Sequence, residues 1–244
     1  ELRGQDLRAT RRRALERLNE LNISTTLVVT VKKGVNDDEI GAIIDFALKQ
    51  PCVRGITFQP VQHAGRTDGF DPARDRLTLS EVRQQILDQS PVFQAEDVIP
   101  VPCHPDCLAM AYALKIGGKG VPLTSLIDPQ LLLSGEGNTI VYERHPEIRK
   151  EIFQAFSTAH SPQSASLSLK HLLCCLPGVE APAELGYNHL FRIIIMQFLD
   201  AWNFDVRSVK KSCVHIIHPD GRIIPFDTYN LFYRDGLEDR LRGL

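Results

Sequence analysis

Ile23-Ser24-Thr25-Thr26-Leu27-Val28-Val29-Thr30-Val31, then Lys32-Lys33-Gly34-Val35 and Asn36-Asp37-Asp38-Glu39-Ile40, then Val53-Arg54-Gly55-Ile56-Thr57-Phe58 past Pro51, is the stretch whose reading decides the fold. The first run is β-branched and almost wholly apolar, the pattern of a strand buried on both faces of a parallel sheet. Asn36 followed three residues on by Glu39 reads as a helix N-cap with a capping box, and Asp37 and Asp38 stand where the helix dipole favours negative charge. The helix so opened turns Ile40, Ile43, Ile44 and Ala47 inward and ends near Pro51. Val53–Phe58 is a second apolar strand. Strand, helix and strand joined by short links form a βαβ crossover, and that connection requires parallel strands.

Outward from this unit the pattern is mixed. Upstream, residues 4–21 carry Leu7, Ala14, Leu15, Leu18 and Leu21 at helical spacing, with Arg11, Arg12 and Arg13 on a solvated side. Downstream, residues 59–76 shift to Gly, Asp, Arg and His and read as a long functional loop. Thr78-Leu79-Ser80-Glu81 is a capping box that opens a helix to about Gln89. Residues 97–107 hold three prolines and two cysteines in an irregular segment, 108–114 read as helix, and Gly117, Gly118 and Gly120 as a loop. A strand is expected at 138–144, helices at 146–157 and 166–175, a linker at 176–186 and a helix at 188–201. Pro219-Asp220-Gly221, flanked by Cys213–His218 and Arg222–Phe226, is a hairpin signal.

Composition bounds the class. With 244 residues and 43% hydrophobic content the chain can bury a sizeable core, and a net charge of -2 offers no global basic field for nucleic acid. No run of about 18 apolar residues marks a membrane span. The block Phe191–Trp202 is apolar but holds Arg192, Gln197 and Asp200, so it reads as a buried amphipathic helix or a membrane-surface contact. The chain begins Glu1-Leu2-Arg3-Gly4, without initiator Met or signal peptide, and reads as starting within a longer protein. Six cysteines in a chain of this size point to metal binding or burial rather than disulfides.

Chemistry concentrates in two places. Cys103-His104-Pro105-Asp106-Cys107 sets two thiols four positions apart in a loop stiffened further by Pro100 and Pro102. They can converge on one metal; buried, unligated thiols are the alternative reading. Cys213, at the start of the hairpin, is the third candidate ligand, with His215 and His218 near it. Cys174 and Cys175 would diverge by about 100° on a helix and read as buried, as does Cys52. The second place is Gln59-Pro60-Val61-Gln62-His63-Ala64-Gly65-Arg66, at the carboxyl end of a parallel strand, where α/β proteins bind ligands. Gly65-Arg66 could meet an anionic group. Asn36 ends the preceding strand and faces the same edge.

The order of these segments is similar to a known family. Leu2 to Leu7, Thr25 to Val31, Lys33-Gly34-Val35-Asn36-Asp37-Asp38-Glu39-Ile40 and Ile56-Thr57-Phe58-Gln59-Pro60 together resemble the second half of a radical S-adenosylmethionine partial barrel, and the stretch Gly34 to Glu39 is similar to the loop after strand five in the molybdenum-cofactor-biosynthesis enzymes. Pro102 to Cys107, Phe191-Arg192 through Asp200, Cys213-Val214-His215 to Pro225-Phe226 and Tyr229-Asn230 resemble the subgroup of tetraether lipid synthases and pterin methylases. The resemblance implies an α/β fold. Residues 1–95 would be the later part of a partial (β/α)6 barrel. Residues 96–244 would be a mostly helical auxiliary iron–sulfur and substrate region ending in a β-hairpin.

It also implies the cofactors: a [4Fe–4S] cluster held by a CxxxCxxC motif, and S-adenosylmethionine cleaved to a 5′-deoxyadenosyl radical that abstracts a substrate hydrogen. This chain has no CxxxCxxC, so alone it is expected to be inactive. Asn36, Gln59, Pro60 and Val61 would form part of the S-adenosylmethionine wall. Cys103, Cys107 and Cys213 would hold an auxiliary [4Fe–4S] cluster. Some relatives carry another cysteine near Pro225-Phe226, where this chain has Asp227; that residue is a fourth ligand, or an iron is left open for substrate, or the site is altered. The implied substrate is a small molecule or a lipid, through lipid alkyl-chain coupling or methylation of a pterin-like ring. An electron donor such as a ferredoxin or flavodoxin is the implied partner, in the cytoplasm, with or without a peripheral membrane contact. A zinc-stabilised, non-catalytic binding module using the same cysteines plus His104 or His215 is the alternative reading.

Overall fold

The computed structural model describes residues 4–63, 69–101, 104–125 and 187–234. The expected strand at 138–144, the helices at 146–157 and 166–175, the linker at 176–186, Cys174, Cys175, Gly65, Arg66 and Cys103 lie outside the described residues.

The βαβ unit forms as its sequence predicts. Strand β1 (Thr25–Val31) pairs in parallel with β2 (Val53–Pro60), connected by helix α2 (Ile40–Lys49). Before it stands helix α1 (Arg8–Glu20), whose Leu15 and Leu18 pack against the core while its arginines face solvent. Helix α3 (Pro72–Asp75) is a single turn, and α4 (Leu79–Gln89) opens on the capping box: the Thr78 hydroxyl accepts from the Glu81 amide at 3.2 Å and Glu81 Oε2 accepts from the Thr78 amide at 2.8 Å. The α2–α4 contact is close at Gly41, where an added Cβ would stand 2.3 Å from the Gln89 carbonyl oxygen.

Three expectations are corrected here. β1 lies at the edge of the sheet rather than buried on both faces, and Val28 on it is 60% exposed. The α2 N-cap position is Glu39, without a side-chain cap bond; Asn36 instead closes the turn before it. Residues 108–114 and 188–201 are not helices. Leu108–Ile116 is strand β4, and Leu190–Met196 is strand β6.

The reason lies in burial. β3 (Ile99–Pro100) and β5 (Lys119–Pro122) pair antiparallel with β4, and the sheet order is β1-β2-β6-β4-β3 with β5 also on β4. β4 and β6 are interior strands whose residues are buried on both faces, so apolar residues run continuously and periodicity alone cannot separate strand from helix. The two faces still differ. Ala109, Ala111 and Ala113 share the core face with Phe191, Ile193 and Ile195 of β6 and with Ile56 and Phe58 of β2. Leu108, Met110, Tyr112 and Leu114 lie on the other face. The block from Phe191 is thus a core strand, parallel to β2 and antiparallel to β4, rather than an amphipathic helix.

After β6 come a short helix α5 (Val206–Val209), the hairpin β7 (His215–Ile217) and β8 (Ile223–Pro225), and helix α6 (Phe226–Phe232). The hairpin forms where the sequence signals it. Gly221, at φ +88°, takes the left-handed position of a three-residue loop, and the Gly221 amide donates to the His218 carbonyl at 2.9 Å. Among the described residues no helix is long and apolar enough to cross a membrane. The chain is therefore α/β, with a mixed rather than an all-parallel sheet.

Candidate functional site

The parallel strands β1, β2 and β6 all end at one edge of the sheet. β4 runs the opposite way, so it begins at that edge: Leu108 pairs with Met196, and the Gln197 amide donates to the Cys107 carbonyl at 2.9 Å. The segments that follow β1, β2 and β6 and the turn that precedes β4 therefore meet. Clefts at the carboxyl ends of parallel strands are where open α/β sheets take ligands.

Asn36 and Gln59–Val61 reach this edge together. The Val61 amide donates to the Val31 carbonyl at 2.8 Å, and Thr30 pairs with Gln59. The Asn36 amide group closes its own loop, accepting from the Lys32 amide at 2.9 Å and donating to the Thr30 carbonyl at 3.0 Å. Gln62 Oε1, just beyond, is buried without a hydrogen-bond partner.

His104-Pro105-Asp106-Cys107 is a tight turn joining β3 to β4, closed by the Cys107 amide on the His104 carbonyl at 3.2 Å. Proline at its second position fixes the required φ. Cys107 and Cys213 line one narrow slot with His104 and Asp227, so three of the four residues expected as ligands border the same opening. Cys107 is buried and Cys213 exposed. Burial first, then the nearby carboxylates of Asp227 and Asp106, pushes the Cys107 thiol up to about 12. Burial also raises Asp227, whose Oδ1 accepts from the Leu199 amide at 2.6 Å, and it lowers His104, keeping that imidazole neutral. His104 Nδ1 is buried with no hydrogen-bond partner. Neither His215, which is exposed, nor His218, whose Nδ1 lies 2.8 Å from Asp220, lines the slot. Cys52 is fully buried, as expected.

By residue type alone, an imidazole, two thiols and a carboxylate are the donors that soft or borderline cations take. Among the described residues, no three such donors stand close enough to hold one ion.

A second opening shares Cys107 and Gln197 with the slot. It is a cavity of about 440 Å³, in the range of small-molecule sites. Its lining is polar: Asp106, Asn203, Asp205, Arg207, Ser208 and Lys211 surround it, with Leu199 the one aliphatic side chain. Lys211 Nζ lies 3.5 Å from Asp106 across its wall. This cavity is not legible in the sequence, because its residues come from the β3–β4 turn and from the segment around α5, about a hundred positions apart.

Also missed was Asp200, only 1% exposed, at the hub of the same edge. Its carboxylate pairs with Arg76 and accepts from the His63 amide at 2.8 Å and the Trp202 amide at 2.9 Å. A charged residue inside an apolar block was the available signal; the helical reading of that block hid it.

No protein-family model matches the chain. It is 31% identical, over 98% of its length, to a 7,8-dihydro-6-hydroxymethylpterin dimethyltransferase of Methanocaldococcus jannaschii. The chain is similar to a pterin methyltransferase over nearly all of its described and undescribed sequence. It spans about half of that relative, 54% of its length. The relationship to pterin-methylase-like proteins expected from the sequence is thereby supported.

Proposed function

We propose that the chain is part of a radical S-adenosylmethionine methyltransferase acting on a pterin-like heterocycle, with β1 and β2 among the later strands of a partial barrel. The observation that carries this reading is that Cys107, Cys213 and Asp227 line one slot beside a polar cavity of small-molecule size. Cys107, Cys213 and Asp227, with Cys103, would hold an iron–sulfur cluster, and Asn36 and Gln59–Val61 would face S-adenosylmethionine. When bound, these groups supply one-electron chemistry and a methyl source; a ferredoxin or flavodoxin would supply electrons.

What the chain's own residues contribute is positioning. His104 and Cys107, the buried ends of their turn, exclude water from one wall of the slot. Asp106, Asp205, Arg207 and Lys211 offer acceptors and donors to the edge of a flat, nitrogen-rich ring. A pterin presents amide, amino and ring-nitrogen groups that such a lining can satisfy. An alkyl chain would leave it desolvated and unpaired. The polar lining therefore favours the heterocycle over lipid alkyl-chain coupling. The zinc-stabilised, non-catalytic alternative is not favoured, since the relative is an enzyme.

The test is anaerobic reconstitution of the full-length protein with iron and sulfide, followed by incubation with methyl-labelled S-adenosylmethionine and 6-hydroxymethyl-7,8-dihydropterin. Brown protein that loses iron in Cys107→Ser and Cys213→Ser, and labelled pterin product, are expected. Colourless protein retaining zinc, or label transfer unaffected by both substitutions, would overturn the reading.

A further inference from the structure

Beyond the thiol slot, the same edge carries an aromatic surface with no assigned role. Trp202 Nε1 donates to His63 Nδ1 at 3.1 Å. The two ring planes differ by 28° and their centroids are 6.3 Å apart. The hydrogen bond between ring nitrogens joins the two rings at their edges, with their planes inclined to each other. Phe70 lies nearly parallel to His63, at 11° and 5.3 Å. The result is an aromatic shelf two rings wide.

The shelf is held rigidly. One buried carboxylate, Asp200, accepts both the His63 and the Trp202 backbone amides, and Arg76 neutralises it. The Asp200 amide in turn donates to Asn203 Oδ1 at 2.7 Å, and Asn203 lines the polar cavity. Because Nδ1 accepts, the imidazole proton sits on Nε2, a donor left at the rim. Despite this anchoring, Trp202 is 58% exposed. An ordered indole held flat against solvent has lost its rotamer freedom without gaining burial, and a stacking ligand recovers that loss. Its position beyond the ends of β2 and β6 is the ligand-binding side of the sheet.

We infer that the hydrogen-bonded His63–Trp202 pair is a stacking platform for a planar N-heteroaromatic ring, a purine or a pterin. The inference stands on this geometry alone and does not require metal in the neighbouring slot, so failure of one leaves the other intact. Stacking tolerates any electron-poor π face, while the His63 Nε2 donor and the adjoining polar cavity select rings with acceptors at the edge.

Trp202 is the only tryptophan among the 244 residues, so its fluorescence reports the platform directly. Titration of the purified protein with adenosine in one arm and 6-hydroxymethylpterin in the other should quench that emission saturably. Equilibrium dialysis should then show a loss of affinity of about ten- to hundredfold in Trp202→Ala and in His63→Ala. Phe46→Ala, at an exposed aromatic on α2, should bind as wild type, and circular dichroism checks that each variant folds. Saturable binding of adenosine alone assigns the platform to a purine, of the pterin alone to a pterin, and of both to the shared ring chemistry. No saturable quenching by either ring up to millimolar concentration, or unchanged affinity in Trp202→Ala, overturns the inference.

Discussion

The Cys107 thiol should be almost inert in the metal-free protein. Its rise from 9.0 to about 12 comes first from burial and then from the negative charges of Asp227 and Asp106. Three pH units correspond to about a thousandfold less thiolate at any pH below 9, and only the thiolate attacks an alkylating agent. Iodoacetamide labelling at pH 8, followed by peptide mapping, should therefore modify Cys107 at least about a thousandfold more slowly than a free cysteine. In urea the rate should return to that of a free cysteine. Asp227→Asn removes the nearer charge while keeping an oxygen for the Leu199 amide. Labelling should then speed up several-fold, yet stay well below the free rate because burial is the larger cause. A cation in the slot reverses the sign of the field, so metal binding should release a proton and tighten as pH rises. Folded Cys107 labelled as fast as a free thiol, or slowed further by Asp227→Asn, would refute this account of the slot.

Other expectations concern the scaffold that presents the site. Gly41→Ala should cost about 1–3 kcal/mol, lowering the thermal midpoint by several degrees, because the new methyl meets a backbone carbonyl that cannot swing away. Thr78→Ala should cost about 1 kcal/mol in urea unfolding by opening the capping box of α4. Lys115 is buried, donating to the carbonyls of Ala47, Gln50 and Val53, and burial lowers it from 10.5 to about 8. Between pH 8 and 10.5 the folded state sheds a proton that the unfolded chain keeps, so stability should rise with pH across that window. Urea unfolding of Lys115→Met should show that rise abolished, while an unchanged slope would assign it to another group.

How much of this was legible depended on where burial was one-sided. The βαβ unit was readable because α2 carries a polar face, and α4 because Thr78 and Glu81 sit at capping-box spacing. The β7–β8 hairpin was readable because Pro219-Asp220-Gly221 names its turn. β4 and β6 were not, since strands buried on both faces lose the alternation that distinguishes them from helices. Two signals pointed the right way. Ile193-Ile194-Ile195 is β-branched, and Gly117-Gly118, with φ +57° and +77°, is a two-residue hairpin turn joining β4 to β5. Read as a turn rather than a loop, that pair makes strands of its flanks. At the site, residue types were informative and partners were not. Cys107, Cys213 and Asp227 could be named from sequence, whereas Asp200, Arg76 and the polar cavity depend on contacts more than a hundred positions apart.

The reversed strand is also what makes the site possible. Had 108–114 been helical, the His104–Cys107 turn would have had no fixed relation to the ends of β2 and β6. As an antiparallel neighbour of β6, β4 must start where β6 stops, and this places the thiol-bearing turn within reach of the segment leading to Cys213 and Asp227. Among the described residues, the polar cavity, the slot and the His63–Trp202 shelf share that edge. A purely parallel arrangement of the same strands would have sent the turn before β4 to the opposite edge, some 20 Å away at strand length. The mixed sheet is thus the feature on which the convergence of the candidate site rests.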